Sequence, residues 1–371
     1  MTVNPNPEYK ITEEDKNDIK YGKILSQSLR IFFSNAIKIT LKNPSQAYFF
    51  LKTVIWQKKA AKLRQYWESK GIHVPPIMIF SITNQCNLHC KGCYNQALRQ
   101  SDQEELSNDR IKGIVSEAKE LGISFIVLGG GEPLVRSEVI NITKDFPELI
   151  FLIFTNGLLI KDEMLFRMKK QKNLVPIISL EGYQEDTDKR RGKGVYDNLQ
   201  KIIKKLKNKG IFFGVSLTVT KSNFDTIIND QFVQKLASIG CKLFFFPEYT
   251  AIRGGTKDWV PTDDQRASIP GIINSFRSKY SSLFIAVPSD EKEFGGCLSA
   301  GRGFIHISAE GNLEPCPFAP YSDISLKNTP LKEALQSKFL KAIRQNKKEL
   351  DETEGGCALW IRREWVQSLL E

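Results

Sequence analysis

The feature that most constrains the fold is an alternation of short apolar runs with amphipathic stretches between residues 77 and 250. Several runs are apolar on both faces, as strands of a parallel sheet covered by helices should be. Such repeats predict either an open doubly wound sheet or part of a barrel, with functional loops after the carboxyl ends of the strands. The predicted strands cover residues 77–82, 125–129, 150–155, 175–181, 211–219 and 242–248, and the predicted helices cover 104–121, 136–145, 161–172, 195–209 and 225–239.

The N-terminal region carries almost all of the net positive charge. The whole chain has a formal net charge of +11, and the segment from Lys20 to Lys70 has 11 Lys and Arg against the single acid Glu68, a balance of +10. Its apolar residues recur at helical spacing, which predicts two helices separated at Asn43-Pro44. These helices could lie on an anionic membrane surface, guide an acidic peptide or a phospholipid head group, or simply cover the barrel and expose their lysines. Nucleic-acid binding is not expected, because the segment shows none of the relevant folds.

The C-terminal region is predicted to leave the strand–helix repeat after residue 250. Residues 303–318 indicate a hairpin that turns at Glu310-Gly311-Asn312, and a helix near 330–349 should follow. The predicted fold is α/β: a partial (βα)6 TIM-like barrel with an N-terminal helical extension and a small C-terminal α+β domain. The three parts would cover residues 1–75, 76–250 and 251–371.

Hydropathy and cysteine content limit the class of protein. No stretch approaches the ~20 uncharged apolar residues that cross a bilayer, and the first residues lack the apolar core of a signal peptide. The 7 cysteines are an odd number in a long chain, which argues against complete disulfide pairing. We therefore expect a cytoplasmic protein in which clustered cysteines serve metal or redox chemistry.

Three cysteines, Cys86, Cys90 and Cys93, are crowded onto the loop after the first predicted strand. Three thiolates on one loop can ligate three irons of a cubane cluster and leave the fourth iron open to another ligand. The alternative is a zinc site completed by His89, but the spacings of three and two residues fit zinc ribbons poorly. The pattern therefore favours an iron–sulfur cluster.

The CxxxCxxC spacing, followed by the aromatic residue Tyr94, resembles the signature of the radical S-adenosylmethionine (SAM) superfamily. The resemblance implies a SAM-binding 4Fe-4S cluster on the three cysteines as the catalytic centre. In that family SAM chelates the open iron. One-electron reduction, from a donor such as flavodoxin or ferredoxin, then yields a 5′-deoxyadenosyl radical that abstracts a substrate hydrogen. The cofactor carries this chemistry, and the protein must orient it and exclude water and oxygen.

Motifs after the later strands support the same resemblance. Residues 129–133, Gly-Gly-Gly-Glu-Pro, resemble the family's GGEP motif, in which glycines let the backbone approach SAM and Glu132 would accept from its ammonium group. Residues 155–157, Thr-Asn-Gly, resemble the family's TNG motif. Solvated loop charges are the alternative interpretation for Arg190 and Arg191. By resemblance, the residues that contact SAM are Tyr94, Gly130, Gly131, Glu132, Thr155, Asn156, Ser179, Glu181 and Arg191.

Three further cysteines, Cys297, Cys316 and Cys357, resemble the opening of the SPASM/twitch extension, which binds an auxiliary cluster in this family. The later CxxC-x5-CxxxC set of a full SPASM domain is absent, so the resemblance implies a truncated domain with one auxiliary cluster on three cysteines. The alternative is three unrelated buried thiols. The flanking GGC, EPCP and GGC sequences are too rich in glycine and proline for ordinary core strands, which favours the cluster.

The fourth ligand of this auxiliary cluster stays open at the level of the sequence. It could be substrate, water or one of the acids Asp290, Glu291 and Glu293 just upstream of the first cysteine. The remaining cysteine, Cys241, begins the sixth predicted strand and so lies at the wrong end for the active site. We predict that it is structural.

The sequence thus predicts a radical SAM enzyme, and its relatives with SPASM or twitch domains often modify peptides or proteins. An auxiliary cluster could bind the substrate or take up an electron after hydrogen abstraction. The basic N-terminal segment keeps open a lipid or other small molecule at a membrane surface as the alternative substrate. A protein of a different class, a non-catalytic metal-binding redox sensor, is the more distant alternative.

Overall fold

A computed structural model describes residues 44–99, 104–350 and 357–371. These residues form one nine-stranded sheet in the order β7-β6-β5-β4-β3-β2-β1-β8-β9. Neighbouring strands from β7 to β8 run parallel, whereas β8 and β9 pair antiparallel. The strands are β1 (Ile77–Thr83), β2 (Phe125–Gly130), β3 (Ile150–Thr155), β4 (Leu174–Leu180), β5 (Gly214–Leu217), β6 (Leu243–Pro247), β7 (Leu283–Val287), β8 (Phe304–Ile307) and β9 (Leu313–Glu314).

The α-helices of the described residues follow the strands in the order expected for strand–helix repeats. They are α1 (Pro44–Glu68), α2 (Tyr94–Leu98), α3 (Asn108–Leu121), α4 (Ser137–Ile142), α5 (Asp162–Lys170), α6 (Gln184–Arg191), α7 (Val195–Asn208), α8 (Phe224–Ile227), α9 (Asp230–Ser238), α10 (Asp263–Lys279), α11 (Leu331–Ala334), α12 (Lys338–Gln345), α13 (Lys347–Leu350), α14 (Ala358–Ile361) and α15 (Arg363–Ser368). Short 3-10 turns occur at Pro133–Arg136, Thr143–Asp145, Lys257–Trp259 and Ser289–Phe294.

The predicted α/β fold with a parallel, partial barrel is confirmed, and each of the predicted strands is present. The expectation that the repeat stops after residue 250 is wrong, because α10 and β7 add one more strand–helix unit beside β6. Pro270 and Gly271 lie inside α10, and both residue types normally interrupt helices, so they hide the helical pattern. On the other side of the sheet, β8 pairs with β1. The division into three domains stays a prediction.

Local differences from the predicted elements have identifiable causes. The predicted strand 211–219 shortens to β5, and the predicted helix 225–239 divides into α8 and α9 because Asn229 caps a new helix by accepting from the Gln231 amide at 2.9 Å. Helix α6 was not predicted, since its sequence QEDTDKRR is almost wholly charged and has no apolar periodicity. The C-terminal hairpin is present as predicted, with His306 opposite Glu314.

Helix α1 covers the end of the sheet at which the strands begin. Phe50 of α1 is 3% exposed and packs edge-on against Phe212, with the ring centroids 5.2 Å apart. The same apolar group contains residues from the starts of the strands, namely Phe125, Ile150, Val175, Ile177, Leu243 and Leu283. Of the alternatives for the basic N-terminal helices, covering the barrel therefore fits α1. The helix predicted before Asn43 lies outside the described residues.

The opposite face of α1 is exposed. Tyr48, Leu51 and Ile55 are more than half exposed, and lysines surround them. Arg64, by contrast, is buried and donates to the Gly122 carbonyl at 2.6 Å, and its burial lowers its pKa to about 10. Within the described residues, no helix combines the length and the apolar character that a bilayer-spanning segment requires.

Replacing Phe50 by alanine tests the role of α1 in closing the barrel. We expect Phe50→Ala to lower the free energy of unfolding by about 3–5 kcal/mol, because it removes a buried ring and leaves a cavity. The measurement is urea unfolding followed by circular dichroism. Tyr48→Ala, on the exposed face of the same helix, should change stability by less than about 0.5 kcal/mol. Equal losses in the two variants would contradict the packing of α1 described here.

Candidate active site

The three predicted cluster ligands lie on the loop between β1 and α2. Cys86, Cys90 and Cys93 all have half-buried thiols that are not in disulfide bonds. Burial raises the pKa of Cys86, and charges on Glu132 and the other two cysteines raise it further. The three predicted ligands thus share one loop at the carboxyl end of β1, where the pKa of Cys86 depends on the other two thiols.

The thiols suit a cluster that binds them as thiolates. The pKa of Cys90 is raised by burial, while the positive charge of Arg191 acts in the opposite direction. Neutral thiols tolerate this half-buried loop without metal, and iron would displace their protons on binding. The nearby arginine offsets part of the negative charge that a thiolate-ligated cluster brings. The donor set therefore fits an iron–sulfur cluster.

The zinc alternative finds no support at this loop. His89 faces the side chain of Gln96, with its Nδ1 3.5 Å from Nε2. Among residues 44–99, 104–350 and 357–371, no three Cys, His, Asp or Glu side chains are grouped closely enough to hold one metal ion. The thiolates of a cubane lie farther apart than the ligands of a single ion, so a cluster does not require such a group.

The GGEP motif packs directly against the cysteine loop. A Cβ on Gly130, whose φ is +111°, would lie 2.2 Å from the Thr83 carbonyl oxygen, and one on Gly131 would lie 2.1 Å from that of Gln85. The amide of Gly131 donates to the Thr83 carbonyl at 2.8 Å. Both positions therefore require glycine so that the backbone can approach the cysteine loop.

Glu132 connects the GGEP motif with the TNG motif. Its carboxylate is 1% exposed and accepts three hydrogen bonds. The donors are the Thr155 hydroxyl at 2.8 Å, the Asn156 amide at 2.6 Å and the Leu134 amide at 3.0 Å. Burial raises the pKa of Glu132, and these hydrogen bonds oppose that shift. Its predicted contact with the SAM ammonium group stays a prediction.

Asn156 continues this network to the first cysteine. Its Nδ2 donates to Asn87 Oδ1 at 2.8 Å and lies 4.0 Å from the Cys86 sulfur. The predicted residues of the second and third strand ends therefore meet the cysteine loop through Glu132 and Asn156. Ser179 is half-buried on β4, beside Ser216 of β5.

A buried ion-pair group borders the cysteine loop on its other side. Glu181 has a side chain that is 1% exposed and pairs with both Arg190 and Arg191, the latter through Nε at 2.8 Å. The interpretation of these arginines as solvated loop charges is wrong, because α6 directs them inward to satisfy a buried carboxylate. The Lys91 amide, in the cysteine loop, donates to the Arg190 carbonyl at 2.9 Å.

Tyr94 takes a position that the sequence did not indicate. Its half-buried ring packs edge-on against Phe318, with centroids 4.9 Å apart, and burial raises its pKa to about 12. Phe318 belongs to the C-terminal region, two residues after Cys316. The structure therefore places Tyr94 between the cysteine loop and the second set of cysteines. Its predicted contact with SAM stays a prediction.

The C-terminal cysteines also converge. The thiols of Cys316 and Cys357 interact, which raises the pKa of Cys316 and lowers that of Cys357. The thiol of Cys297 donates to the Ser299 hydroxyl at 3.2 Å, and burial raises its pKa well above the usual value. The Cys357 charge adds to that rise. The backbone joins the first two segments, since the Ala300 amide donates to the Pro315 carbonyl at 3.0 Å. The alternative of three unrelated thiols therefore loses support.

Two of the candidate acids near this set are now distinguishable. Asp290 accepts from the Ala286 amide at 2.8 Å and pairs with Arg277 at 2.6 Å, so it faces its own turn. Glu291 is 9% exposed, accepts from the Leu298 amide at 3.2 Å and raises the pKa of Cys297. Glu291 is thus the acid nearer the cysteines. Cys241 is fully buried, which raises its pKa to about 12, as a structural role requires.

Sequence reasoning missed the side chains that support the cysteine loop from a distance. Glu105 accepts from the Thr83 hydroxyl at 2.9 Å and the Asn84 amide at 2.7 Å, and it pairs with Arg136. These residues lie in polar stretches without a motif, so no local signal could have identified them.

Known proteins resemble this chain in sequence. Residues 80–230 match the Radical SAM superfamily. The Fe-coproporphyrin III synthase of Methanosarcina barkeri is 33% identical over 158 residues, which cover 40% of this chain and 38% of that protein. The mycofactocin maturase MftC of Mycolicibacterium smegmatis is 28% identical over 270 residues, which cover 67% of this chain and 66% of that protein. The chain thus spans less than two thirds of the length of these two relatives.

A solved structure resembles the fold. The crystal structure of Streptococcus suis SuiB bound to precursor peptide SuiA gives a TM-score of 0.63 at 19% identity. The match covers 84% of this chain and 75% of that chain. At this level of identity the likeness concerns the fold, including the parallel partial barrel.

The three hydrogen bonds to Glu132 can be tested by one isosteric change. Glu132→Gln should lower the free energy of unfolding by about 1–3 kcal/mol, because its amide nitrogen must face at least one of the three donors. Glu138→Gln, on the exposed side of α4, makes the same chemical change without such donors. Urea unfolding of both variants measures the difference, and matching curves would contradict the described role of Glu132.

Proposed function

Because residues 80–230 match the Radical SAM superfamily, we propose that this chain binds SAM at a 4Fe-4S cluster on Cys86, Cys90 and Cys93 and uses it to modify a peptide. The observation that carries the proposal is the meeting of the three thiols with the GGEP and TNG motifs through Glu132 and Asn156. No other described group combines soft thiolate ligands with a glycine-lined edge of the sheet.

When bound, the 4Fe-4S cluster and SAM would supply radical chemistry, in which a hydrogen atom is removed from the substrate. The protein's own residues hold the site around it. Glu132 and Asn156 fix the TNG motif against the cysteine loop, and the Glu181–Arg191 pair places a positive charge beside Cys90. Gly130 and Gly131 keep the loops in close contact, which helps to exclude water.

A second cluster on Cys297, Cys316 and Cys357 is part of the proposal. What supports it is their convergence from three separate segments, together with the position of Tyr94 between this set and the first. Three thiolates would leave one iron for another ligand, and of Asp290 and Glu291 the latter is better placed to supply it, whereas the side chain of Glu293 lies outside the described part of the structure. Such a cluster would bind the substrate or accept an electron after hydrogen abstraction.

A peptide substrate draws its support from the maturase MftC, which is 28% identical, and from the likeness in fold to SuiB, solved with a precursor peptide. A porphyrin or another small molecule is the second candidate. The coproporphyrin synthase, 33% identical over 158 residues, favours it. A lipid substrate would need the exposed Tyr48, Leu51 and Ile55 of α1 to meet a membrane surface.

We further propose a cytoplasmic enzyme that receives electrons from a flavodoxin or a ferredoxin. All 7 cysteines are free, which suits a reducing compartment. The exposed lysines of α1 offer a positive surface that would attract either an acidic electron carrier or an anionic membrane. We therefore propose peripheral contact with a membrane through residues 20–70, of which the structure describes residues 44–70.

The radical chemistry and the two clusters can be tested together. After anaerobic reconstitution with iron and sulfide, dithionite and SAM should give 5′-deoxyadenosine from the wild type. The variant Cys86→Ala/Cys90→Ala/Cys93→Ala should give none and keep about half of the iron, because the second cluster has its own ligands. Mass spectrometry measures the nucleoside, and a colorimetric assay measures the iron.

The reciprocal variant, Cys297→Ala/Cys316→Ala/Cys357→Ala, is the matched control for this experiment. It should lose the other half of the iron and still cleave SAM. Zinc in place of iron, or a wild-type cluster that never cleaves SAM, would refute the enzymatic proposal and favour the redox-sensor alternative.

The two substrate classes can be separated by the same nucleoside. We expect 5′-deoxyadenosine formation to rise roughly tenfold when a precursor peptide encoded beside the gene is added, because binding energy from the substrate assembles the site. Fe-coproporphyrin III is the comparison. Stimulation by the porphyrin and a mass change in it, without either effect on the peptide, would reverse the assignment.

A further inference from the structure

A chain of buried polar side chains connects β1 with the hairpin that precedes Cys316. Ser81 of β1 hydrogen-bonds His306 Nε2 at 2.8 Å, and His306 Nδ1 lies 2.8 Å from Glu314 Oε2. Arg99 completes the chain with two bonds of 2.6 Å to the same carboxylate. Strand β8 lies between β1 and β9, with Ile79 opposite His306, so these polar side chains extend across the last three strands of the sheet.

The connectivity of Ser81, His306 and Glu314 is that of a hydrolytic triad, but their burial excludes that function. His306 is 0% exposed and Ser81 is 3% exposed, and both lie within the sheet. A nucleophile must reach a substrate carbonyl, and no substrate reaches a hydroxyl at this depth. The group must therefore act through the backbone that it holds.

Arg99 is the member that reaches the first cysteine loop. It directly follows α2, which begins at the residue after Cys93. Besides Glu314, its guanidinium donates to the Pro317 carbonyl at 3.2 Å. One side chain that is 7% exposed thus contacts the chain on both sides of Cys316. A bidentate arginine–carboxylate pair fixes both distance and angle.

Two further contacts join the same two regions. The Tyr94 ring at the start of α2 packs edge-on against Phe318, with the ring centroids 4.9 Å apart. Asn84, two residues before Cys86, donates from Nδ2 to the carboxylate of Glu310 at the turn of the hairpin. The residues on either side of the first cysteine loop therefore both contact the C-terminal hairpin.

From these contacts we propose that Arg99 and Glu314 are positioning residues that set the Cys316 loop against the segment following Cys93. The Cys316 loop then takes its position from the segment after the first cysteine loop, although the two are far apart in sequence. This inference rests on the proposed second cluster. It assigns no new ligand, because both residues act through the backbone around Cys316.

The test uses the full chain with Cys86, Cys90 and Cys93 replaced by alanine, so that iron reports on the second set alone. Into this parent we introduce Arg99→Met, Arg99→Lys and Arg99→Met/Glu314→Gln. After reconstitution we measure iron, the low-temperature electron paramagnetic resonance spectrum of the reduced protein, and the melting temperature. The matched control is Arg110→Met, whose guanidinium also pairs with a carboxylate, Glu117, and holds the C-terminal region through the Leu326 carbonyl at 2.6 Å, away from the cysteines.

Arg99→Met should lose roughly half or more of the iron and change the spectrum, because an unpaired buried carboxylate and the lost Pro317 contact displace the Cys316 loop. Arg99→Lys should fall between, since lysine cannot hold both oxygens at once. The double variant removes the unpaired charge, so it should recover the melting temperature but not the parent's iron or spectrum. That separation distinguishes positioning from stability.

Two results would overturn the proposal. One is an Arg99→Met protein with the same iron and spectrum as Arg110→Met. The other is a double variant that regains both the melting temperature and the parent's spectrum, which would show a purely structural role. A parent that binds no iron while Arg99 is intact would refute the second cluster itself, and this inference with it, before any Arg99 variant is compared.

Discussion

The parallel register of β1 to β4 is the constraint on which the rest of this structure depends. Phe80 lies opposite Leu128, Leu128 opposite Ile153, and Ile153 opposite Pro176. Since parallel strands in register end at the same edge, the loops that follow them must share one space. The cysteine loop, the GGEP motif, the TNG motif and Glu181 follow these four strands in turn. Their meeting is a consequence of strand pairing, not of any attraction among the loops.

Buried carboxylates then fix the loops relative to one another. Glu132, Glu181 and Glu314 are each almost completely buried, and each accepts from donors on a different segment of the chain. An unpaired charge in such surroundings carries a large desolvation cost. A loop that moved away would leave the buried carboxylate without its hydrogen-bond donors. The same property that makes these groups expensive to bury gives the site a defined shape.

The far end of the sheet shows the opposite solution. There α1 inserts Phe50 among apolar residues at the starts of the strands, without buried ion pairs of this kind in the described contacts of that group. Apolar packing excludes water but tolerates small shifts, which is sufficient where no chemistry occurs. The division between a polar, tightly specified edge and an apolar, covered edge is typical of barrels whose active sites lie at the strand carboxyl ends.

Much of this could be predicted from local patterns. Alternating apolar runs predicted the strands, and the spacing of Cys86, Cys90 and Cys93 predicted the metal chemistry. The prediction failed where the local pattern was misleading or absent: Pro270 and Gly271 hid α10, and the charged sequence of α6 concealed that Arg190 and Arg191 face a buried partner. Arg99 belongs to no motif, and the EPCP sequence that contains Glu314 gives no sign that Arg99 is its partner.

The sequence by itself therefore determined the kinds of element, their order and the ligands that one loop can offer, because these follow from periodicity and spacing over a few residues. Only the tertiary structure decided which distant side chains meet. Arg99 and Glu314 are 215 residues apart, and Asn84 and Glu310 are 226 apart. The physical reason is that a buried charge without a partner carries a large desolvation cost. Which partner is close enough is decided by the pairing of β8 with β1, and not by the neighbouring residues in the sequence.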